Sequence, residues 1–308
     1  MFFLHEFSCC GRRHGRDRKL RRQAGLSWPR RAFSGAERIR GGKRLGIQIH
    51  GKKENFRLVK IRAYKTTEAI GPCDLVLIAL KATNNDVLPD LIPPLLHETT
   101  ALLLQNGLGN EEFLARHFGA ERVAGGLCFI CVNRVAPSVI EHFDYGSLTI
   151  GEFTGLPKPR THNIASEFKR CGVVCAVVEN LMRERWRKLV WNIPFNGLSI
   201  AAGGSTTRDI LQDDSLRLSA LGLMDEIIVA AWACGNSLPE NVALEQMKRT
   251  ETIGAYKPST LLDFEVGRAL EVETIWGEPL RCAQVAGATM PRLEQLYAVL
   301  KSLDGRRE

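Results

Sequence analysis

The sequence predicts an α/β protein in which a doubly wound, Rossmann-like parallel sheet is followed by an all-α domain. Apolar runs typical of strands alternate with helical patterns as far as about residue 180, and only helical patterns follow. The 308 residues are enough for two domains, each with its own hydrophobic core. We therefore divide the chain into a basic segment over residues 1–45, expected to be disordered, a Rossmann-like domain over 46–179 and a helical domain over 180–308.

The elements of the first domain follow from short apolar runs separated by turn residues. We predict strands at residues 58–64, 74–80, 101–104, 123–132, 139–143, 148–153 and 173–178, and helices at 110–118 and 161–171. Residues 85–96 have a helical pattern that Pro89, Pro93 and Pro94 interrupt, so we predict a short helix and a turn there. The runs Asp74–Lys81 and Ala101–Gly109 are typical of buried parallel strands. Lys81 and Asn106 therefore stand at the carboxyl ends of strands, where open α/β sheets place ligand-binding side chains.

The first helix of the second domain carries the most informative pattern. We predict helices at residues 181–201, 215–235, 240–252, 259–271 and 275–302. Within the first of them, Lys188, Asn192 and Asn196 are four residues apart, so they lie one turn apart on one helix face. An amine that can give a proton, beside two carboxamides that can hold a polar substrate, is typical of a reaction site. The alternative is a helix end with two solvated asparagines.

Composition places the chain among ordinary globular proteins. Hydrophobic residues make up 44% and charged residues 25%, and no apolar run is long enough to predict a transmembrane helix. The nine cysteines are an odd number and widely spread, which is typical of reduced thiols in a cytoplasmic protein. The pairs Cys128 with Cys131 and Cys171 with Cys175 could be drawn as a zinc site. No ligand histidines accompany them, and we predict no metal.

The first 45 residues do not have the pattern that opens a Rossmann domain. Residues 1–65 hold 19 Lys and Arg and 4 Asp and Glu, a balance of +15, whereas the remainder has a balance of −7. A Rossmann domain begins with a strand and a Gly-x-Gly-x-x-Gly turn, and we find neither here. Three explanations stay open: a basic arm for nucleic acid, an arginine-rich transit peptide, or a shifted reading frame across about residues 5–44.

The reading-frame hypothesis makes a specific statement about Cys10–Gly15. With permitted codons, Cys-Gly-Arg-Arg-His-Gly read one base later spells Val-Gly-Ala-Val-Met-Gly, a glycine-rich turn of the missing kind. We favour this explanation, because the basic segment lacks an aromatic stacking pattern and a transit peptide would leave the missing first strand unexplained. The chain as written is then expected to bind a dinucleotide poorly.

Four motifs stand in order along the rest of the chain. They are Asp74-Leu-Val-Leu-Ile-Ala-Leu-Lys81, Ala101-Leu-Leu-Leu-Gln-Asn106-Gly-Leu-Gly109, Trp186-Arg-Lys-Leu-Val-Trp-Asn-Ile-Pro-Phe-Asn196, and Lys257-Pro-Ser-Thr-Leu-Leu-Asp263 followed by Glu271. Together they resemble the ketopantoate reductase family (2-dehydropantoate 2-reductase), from about Ile47 to the C-terminus. The resemblance implies that residues 46–179 bind NADP. It also implies reduction of 2-dehydropantoate (ketopantoate) by NADPH to (R)-pantoate, a step of pantothenate and coenzyme A biosynthesis.

The resemblance assigns substrate chemistry to the helical domain. Lys188 would be the catalytic proton donor to the alkoxide that forms on the keto oxygen. Asn192, Asn196 and Ser259 would bind the substrate, although Ser259 could also cap a helix. Thr206 stands where the family can offer a third asparagine, which puts the fine substrate specificity in doubt.

The resemblance also assigns the cofactor side of the site. Asn106 would touch both cofactor and substrate, and Lys81 and Glu271 would bind the cofactor, with Glu271 orienting Lys188 and stabilising its charged form. The alternatives are a solvated strand-end charge for Lys81, and Glu273 or a plain surface pair in place of Glu271. The basic residues Arg30, Arg31 and Arg38 cannot be assigned to a 2′-phosphate, because their context does not match the family.

Two other function classes stay open. One is a related two-domain NAD(P)-dependent dehydrogenase that acts on another 2-keto or hydroxy acid. The other is a non-catalytic protein whose basic segment binds nucleic acid, a partner that we do not expect. The expected partner is a small keto acid, and no membrane contact is expected. Whether the protein forms a homodimer stays open.

Overall fold

The computed structural model describes residues 2–5, 31–34, 46–51, 54–59 and 62–305. These residues form two compact units, which we treat separately. Unit 1 takes the described residues of 1–80, 84–105 and 111–181, and unit 2 takes those of 81–83, 106–110 and 182–308. Two short segments that follow strands of unit 1 in the chain, 81–83 and 106–110, are therefore part of unit 2.

Unit 1 is built on one mixed sheet. Its described strands are β1 (Phe2–His5), β2 (Arg31–Ser34), β3 (Ile47–Gly51), β4 (Asn55–Leu58), β5 (Arg62–Tyr64), β6 (Leu75–Ile78), β7 (Thr100–Leu103), β8 (Val123–Ala136), β9 (Val139–Glu152) and β10 (Val174–Val177). In space they follow the order β4-β3-β9-β8-β7-β6-β1-β2-β5, and β10 pairs with β9. β6, β7 and β8 are parallel, whereas β9 is antiparallel to β8. An α/β unit followed by a helical one confirms the predicted fold class.

The parallel centre of the sheet is its most apolar part. All four residues of β6 and of β7 are buried. A parallel strand covered on both faces needs a continuous apolar sequence, which explains why these two strands could be predicted from sequence. Each strand ends just before a segment of unit 2, so the chain enters unit 2 at Lys81 and again at Asn106.

Strands β8 and β9 are longer than the sequence predicts. We expected separate strands at residues 139–143 and 148–153, but β9 is continuous and pairs with β8 along its length. Tyr145 and Gly146 both adopt positive φ, and the register shifts between Phe129 and Ile130. Such irregularities absorb turn-forming residues inside a strand pair, so the glycine does not end the strand.

The basic segment contains two strands that we did not predict. β1 and β2 lie inside residues 1–45, so the expectation of disorder there is wrong for residues 2–5 and 31–34. The sequence Phe-Phe-Leu has a high β-propensity, and β1 pairs with the edge of β6. The pairing is antiparallel, unlike the parallel first strand of a doubly wound domain. The expected glycine-rich turn and residues 6–30 lie outside the described residues.

Helices of unit 1 are few and short. They are α1 (Leu88–Leu91), between 3₁₀ turns at Ala82–Val87 and Pro93–Leu95, α2 (Asn110–Phe118) and α3 (Pro159–Arg170). α1 is short because proline lacks the N–H that a helix interior needs, as the sequence predicts.

Unit 2 is helical. Its helices are α4 (Leu181–Ala201), α5 (Thr207–Gln212), α6 (Asp214–Ala233), α7 (Val242–Ile253), α8 (Ser259–Glu265), α9 (Glu278–Val285) and α10 (Pro291–Gly305), with a π-helical turn at Glu273–Gly277. The predicted helix over 259–271 ends at Glu265, because Gly267 turns the chain with a φ of 70°. Glu271 therefore lies in the loop that follows α8.

The core of unit 2 surrounds α4. Trp186, Val190 and Ile193 are buried on its apolar side. A Cβ on Gly197 would come within 2.7 Å of Leu296 and 3.0 Å of the Trp276 indole nitrogen, so glycine allows the neighbouring elements to pack closely. The indole N–H of Trp276 also donates to the Ile193 carbonyl at 3.1 Å. These contacts fix the orientation of α4 and so the direction of its polar face.

In the part of the chain that the structure describes, no helix combines the length and the apolar character needed to cross a bilayer.

Candidate active site

All seven residues that the sequence singled out lie in unit 2. Lys81 and Asn106 come from the two short segments, Lys188, Asn192 and Asn196 from α4, and Ser259 and Glu271 from α8 and the loop after it. The site can therefore be described inside one compact unit.

The centre of the site is a hydrogen bond between Lys188 and Asn106. The Lys188 ammonium donates to Oδ1 of Asn106 at 2.8 Å, across 82 residues of sequence. The backbone carbonyl of Asn106 accepts a hydrogen bond of 2.9 Å from the Asn110 carboxamide, which is itself buried. Asn106 is thus held from both sides, and its carboxamide directs the amine of α4.

The carboxamides of Asn192 and Asn196 are buried but not used by the protein. Their residues are 6% and 4% exposed, and no described residue makes a hydrogen bond to either side chain. Neither carboxamide is among the described polar atoms that are fully enclosed without a partner. Buried amides are normally satisfied by protein or water. These two are therefore available to a polar ligand that enters beside Lys188.

A second cluster joins Lys81 to two acids. Its ammonium is 2.7 Å from Oδ2 of Asp263 and 3.1 Å from Oε2 of Glu271. The other oxygen of Glu271 accepts the backbone N–H of Ala82 at 2.9 Å. The other oxygen of Asp263 accepts from Arg268 at 3.1 Å. One ammonium thus bridges two buried carboxylates.

These charges determine the direction of the Lys81 pKa. Burial lowers the pKa of the amine, because it disfavours the charged form. The negative charges and hydrogen bonds of Glu271 and Asp263 raise the pKa by more than burial lowers it. Lys81 therefore stays protonated at all physiological pH values.

The Asn106 turn is fixed against the π-helical region. Gly107 has a φ of 85°, and a Cβ there would lie 2.2 Å from the Thr274 carbonyl oxygen. The N–H of Leu108 donates to the same oxygen at 2.9 Å. Only glycine can hold this turn so close to another backbone, which explains the Asn-Gly pair that the sequence shows. A π-helical turn is itself common at functional sites.

Two residues near the site differ from expectation. Ser259 is exposed, stands at the first position of α8, and its hydroxyl caps nothing, so the capping alternative is wrong. Thr206 instead caps α5: its hydroxyl bonds Oδ2 of Asp209 at 2.7 Å and accepts the Asp209 N–H at 3.3 Å. The Thr206 hydroxyl is therefore engaged in this helix cap.

The predicted partnership of Glu271 with Lys188 is wrong. Both oxygens of Glu271 are taken by Lys81 and Ala82, while Lys188 contacts Asn106. The alternative acid, Glu273, bonds Tyr297 at 2.7 Å and Arg281 at 2.9 Å on the surface. Glu271, not Glu273, is the buried acid of the site.

Asp263 and Arg268 had no predicted role, although the structure places both in the Lys81 cluster. The available signal was spacing: Asp263 follows Ser259 by four residues and so shares its helix face. The contact with Lys81 spans 182 positions in the chain and had no local signal. A groove of about 470 Å³ runs beside this cluster, lined by Ala82, Thr83, residues 267–274, Lys301, Asp304 and Gly305.

Two family models match the chain. The model of ketopantoate reductase PanE/ApbA matches residues 33–155, and that of its C-terminal domain matches residues 180–304. The 2-dehydropantoate 2-reductase of Nostoc sp. (strain PCC 7120) is 37% identical over 268 residues, which cover 85% of this chain and 83% of the relative. The chain belongs to the ketopantoate reductase family. This confirms the resemblance carried by the four motifs.

Solved structures agree with the family. The crystal structure of 2-dehydropantoate 2-reductase from Geobacter metallireducens matches with a TM-score of 0.86 and 38% identity, over 88% of this chain and 91% of that one. The fold is also shared by D-mandelate dehydrogenase, in a ternary structure with NADH and anilino(oxo)acetate. The TM-score there is 0.81 at 19% identity, over 90% of each chain. Ketopantoate reductases are nicotinamide-dependent oxidoreductases.

The described residues fit one end of such a cofactor. Lys81 and Glu271 supply an amine and a carboxylate, and Asn106 supplies an amide beside a turn whose Gly107 has no side chain. These groups suit the polar edge of a nicotinamide nucleotide. The phosphate-binding turn of a Rossmann domain would fall within residues 6–30, which are outside the described part of the chain.

Proposed function

We propose that this protein reduces the keto group of 2-dehydropantoate with NADPH and forms (R)-pantoate. The observation that carries the proposal is the Lys188–Asn106 hydrogen bond beside two buried, unused carboxamides. An amine fixed next to empty amide sites is suited to a small acid with a reactive carbonyl. The membership of the family supports the same reaction.

Lys188 is proposed to be the proton donor. When bound, the reduced nicotinamide supplies a hydride to the carbonyl carbon. Negative charge then grows on the former keto oxygen, and a positioned ammonium both stabilises that charge and gives it a proton. The hydrogen bond to Asn106 Oδ1 fixes the position of the Lys188 ammonium, and an N–H of that ammonium is proposed to meet the oxygen. The neutral amine that results takes a proton back from water.

The carboxamides of Asn192 and Asn196 are proposed to bind the substrate so that its keto oxygen lies beside the Lys188 amine. Asn192 and Asn196 lie one and two turns from Lys188 along α4. Each can donate N–H to a carboxylate or keto oxygen and can accept from a hydroxyl. The exposed hydroxyl of Ser259 adds a further contact. A 2-keto acid with a hydroxyl group offers all of the complementary partners.

Asn106, Lys81 and Glu271 are proposed to face the cofactor. The preference for NADPH over NADH belongs to the proposal, as does a cytoplasmic location, which suits the reduced thiols of the described cysteines. No arginine of the basic segment is assigned to a 2′-phosphate.

Another 2-keto acid is the second candidate substrate. Because the Thr206 hydroxyl caps α5, one side chain fewer is available to bind the substrate. This favours a pocket that accepts more than one keto acid. D-mandelate dehydrogenase, which shares this fold, was solved with NADH and the small 2-oxo acid anilide anilino(oxo)acetate.

Turnover tests the proposal directly. NADPH consumption is measured with ketopantoate and with a panel of other 2-keto acids. The chain is assayed as written and with Val-Gly-Ala-Val-Met-Gly in place of residues 10–15. We expect ketopantoate to be the best substrate, and more activity with the glycine-rich turn. A preference for another keto acid would favour the second candidate, and no turnover in either version would refute both.

A further inference from the structure

Lys81, Asp263 and Glu271 form a second cluster of bonded charged groups in unit 2, apart from the Lys188–Asn106 pair. We propose that Asp263 is a positioning residue, which holds Lys81 against Glu271 and fixes the helix that carries Ser259. The inference rests on the proposed function, because it assigns a task to a residue next to that site. It gives Asp263 no direct contact with substrate or cofactor.

The contacts around the two carboxylates support this positioning role. The two carboxylates have four oxygens, and the protein engages each of them. Lys81 takes one oxygen of Asp263 and one of Glu271, while Arg268 and the Ala82 N–H take the remaining two. No single contact can shift without disturbing the next, so the orientation of Glu271 depends on Asp263 through Lys81.

The charges of the cluster support the same role. Asp263 and Glu271 are 7% and 5% exposed, and two carboxylates that share one site repel each other unless a cation separates them. Lys81 is that cation. Without Asp263, Lys81 loses the shorter of its two ion pairs and is free to follow Glu271 or solvent. The half-exposed amine then no longer fixes the acid.

Helix α8 connects Asp263 to Ser259. Ser259 and Asp263 are one turn apart on the same face of this seven-residue helix. Ser259 itself makes no hydrogen bond to a described residue, so its own side chain does not fix its position. The anchor of that face is the bond from Asp263 to Lys81. Asp263 therefore determines where the Ser259 hydroxyl is presented.

The chain offers a matched control on the same helix. Glu265 ends α8 and pairs with Lys257 at 2.6 Å, but this pair is exposed and does not touch the Lys81 cluster. Both Asp263→Asn and Glu265→Gln remove one negative charge and keep the shape of the side chain. Only the first removes a charge from Lys81. Asp263→Glu restores that charge on a longer side chain.

The experiment combines a titration with kinetics. The pH titration of Lys81 is followed by NMR in protein labelled with ¹³C at the lysine side chains, and Lys81→Arg identifies the signal. The groups that face Lys81 are Asp263 and Glu271, with Arg268 behind Asp263. We expect a lower Lys81 pKa in Asp263→Asn, a return toward the natural value in Asp263→Glu, and no change in Glu265→Gln.

The kinetic arm should separate the variants in the same way. We expect kcat/KM for the keto acid to fall roughly tenfold in Asp263→Asn, to recover in part in Asp263→Glu, and to stay within about twofold in Glu265→Gln. Equal kinetics in the two neutral variants would overturn the inference, and so would an unchanged Lys81 titration in Asp263→Asn. Absence of turnover in the parent chain would count against the proposed function instead, and the titration would still decide the positioning.

Discussion

The ammonium of Lys188 and the carboxamide of Asn106 meet at 2.8 Å, although 82 residues separate them in the chain. Asn106 reaches this place because the glycine turn after β7 packs onto the backbone of Thr274. Lys188 reaches it because the opposite side of α4 is buried in the core of unit 2. The pair therefore depends on the packing of both segments, and its consequences can be tested one contact at a time.

Asn196→Ala should weaken substrate binding without weakening the fold. Its carboxamide bonds no described residue, so no protein hydrogen bond is lost. We expect KM for the keto acid to rise about tenfold or more, as for a lost hydrogen bond to a charged group, with an unchanged melting temperature. Steady-state kinetics and thermal melts measure the two effects.

Asn236→Ala is the control for that variant. Asn236 is 7% exposed, but its carboxamide donates to the Cys234 carbonyl at 2.9 Å. Removing it should lower the free energy of unfolding by about 1 kcal/mol and leave KM unchanged. If Asn196→Ala behaved like Asn236→Ala, the view that Asn196 is reserved for a ligand would be untenable.

Gly107→Ala should damage both stability and activity. The added Cβ would lie 2.2 Å from the Thr274 carbonyl oxygen, at a φ of 85°. The turn must move, and Asn106 must move with it. We expect a loss of about 3 kcal/mol in unfolding free energy and a fall of kcat/KM that exceeds tenfold.

Gly155→Ala is the control that introduces backbone strain without the steric clash that Gly107→Ala adds. Gly155 also has positive φ, at 76°, but an added Cβ meets nothing within 4 Å. We expect a loss of roughly 1–2 kcal/mol in unfolding free energy and normal kinetics. Equal effects of the two substitutions on kcat/KM would show that the position of the Asn106 turn is unimportant.

Glu152 should make unit 1 sensitive to acid. Burial raises the pKa of this carboxyl, but Arg160, Thr161 and Lys158 lower it by more, so the net shift is downward. A group with a lowered pKa stabilises the fold above its unfolded pKa, and that stability is lost as the pH falls through the folded pKa. Arg160→Ala should therefore cost about 2–3 kcal/mol at neutral pH, because the buried carboxylate loses its closest ion pair and is left with Thr161 and the longer pair with Lys158.

Arg170→Ala is the control on the same helix. Its pair with Glu167 is exposed, and its loss should change the unfolding free energy by about 0.5 kcal/mol or less. Chemical denaturation at several pH values compares the variants. The prediction is that Arg160→Ala flattens the loss of stability toward low pH, and a parallel pH dependence in all three proteins would argue against it.

Local patterns predicted much of the fold and part of the site. Residues spaced by four gave the Lys188 face of α4, and two apolar runs gave β6 and β7, because helix and strand periods are visible in a single segment. We predicted two strands where the structure has the single strand β9, because Gly146 is typical of a turn. Pairing with β8 continues through this region.

Contacts between distant segments could not be predicted from these patterns. The bond between Lys81 and Glu271 spans 190 residues, and nothing near either residue indicates the other. The family resemblance suggested that Glu271 orients Lys188, whereas in the structure Glu271 bonds Lys81. Asp263 was visible as a neighbour of Ser259, but its role appears only when the segment that contains Lys81 is in place.

Replacing Lys188 tests its proposed role as the proton donor most directly. Lys188→Ala removes the proposed proton donor, and Lys248→Ala removes an exposed lysine of α7 as a control. We expect the first to lower kcat for ketopantoate reduction at least about a hundredfold and the second to change it less than about twofold. Near-normal turnover in Lys188→Ala, with NADPH and ketopantoate both saturating, would contradict the account.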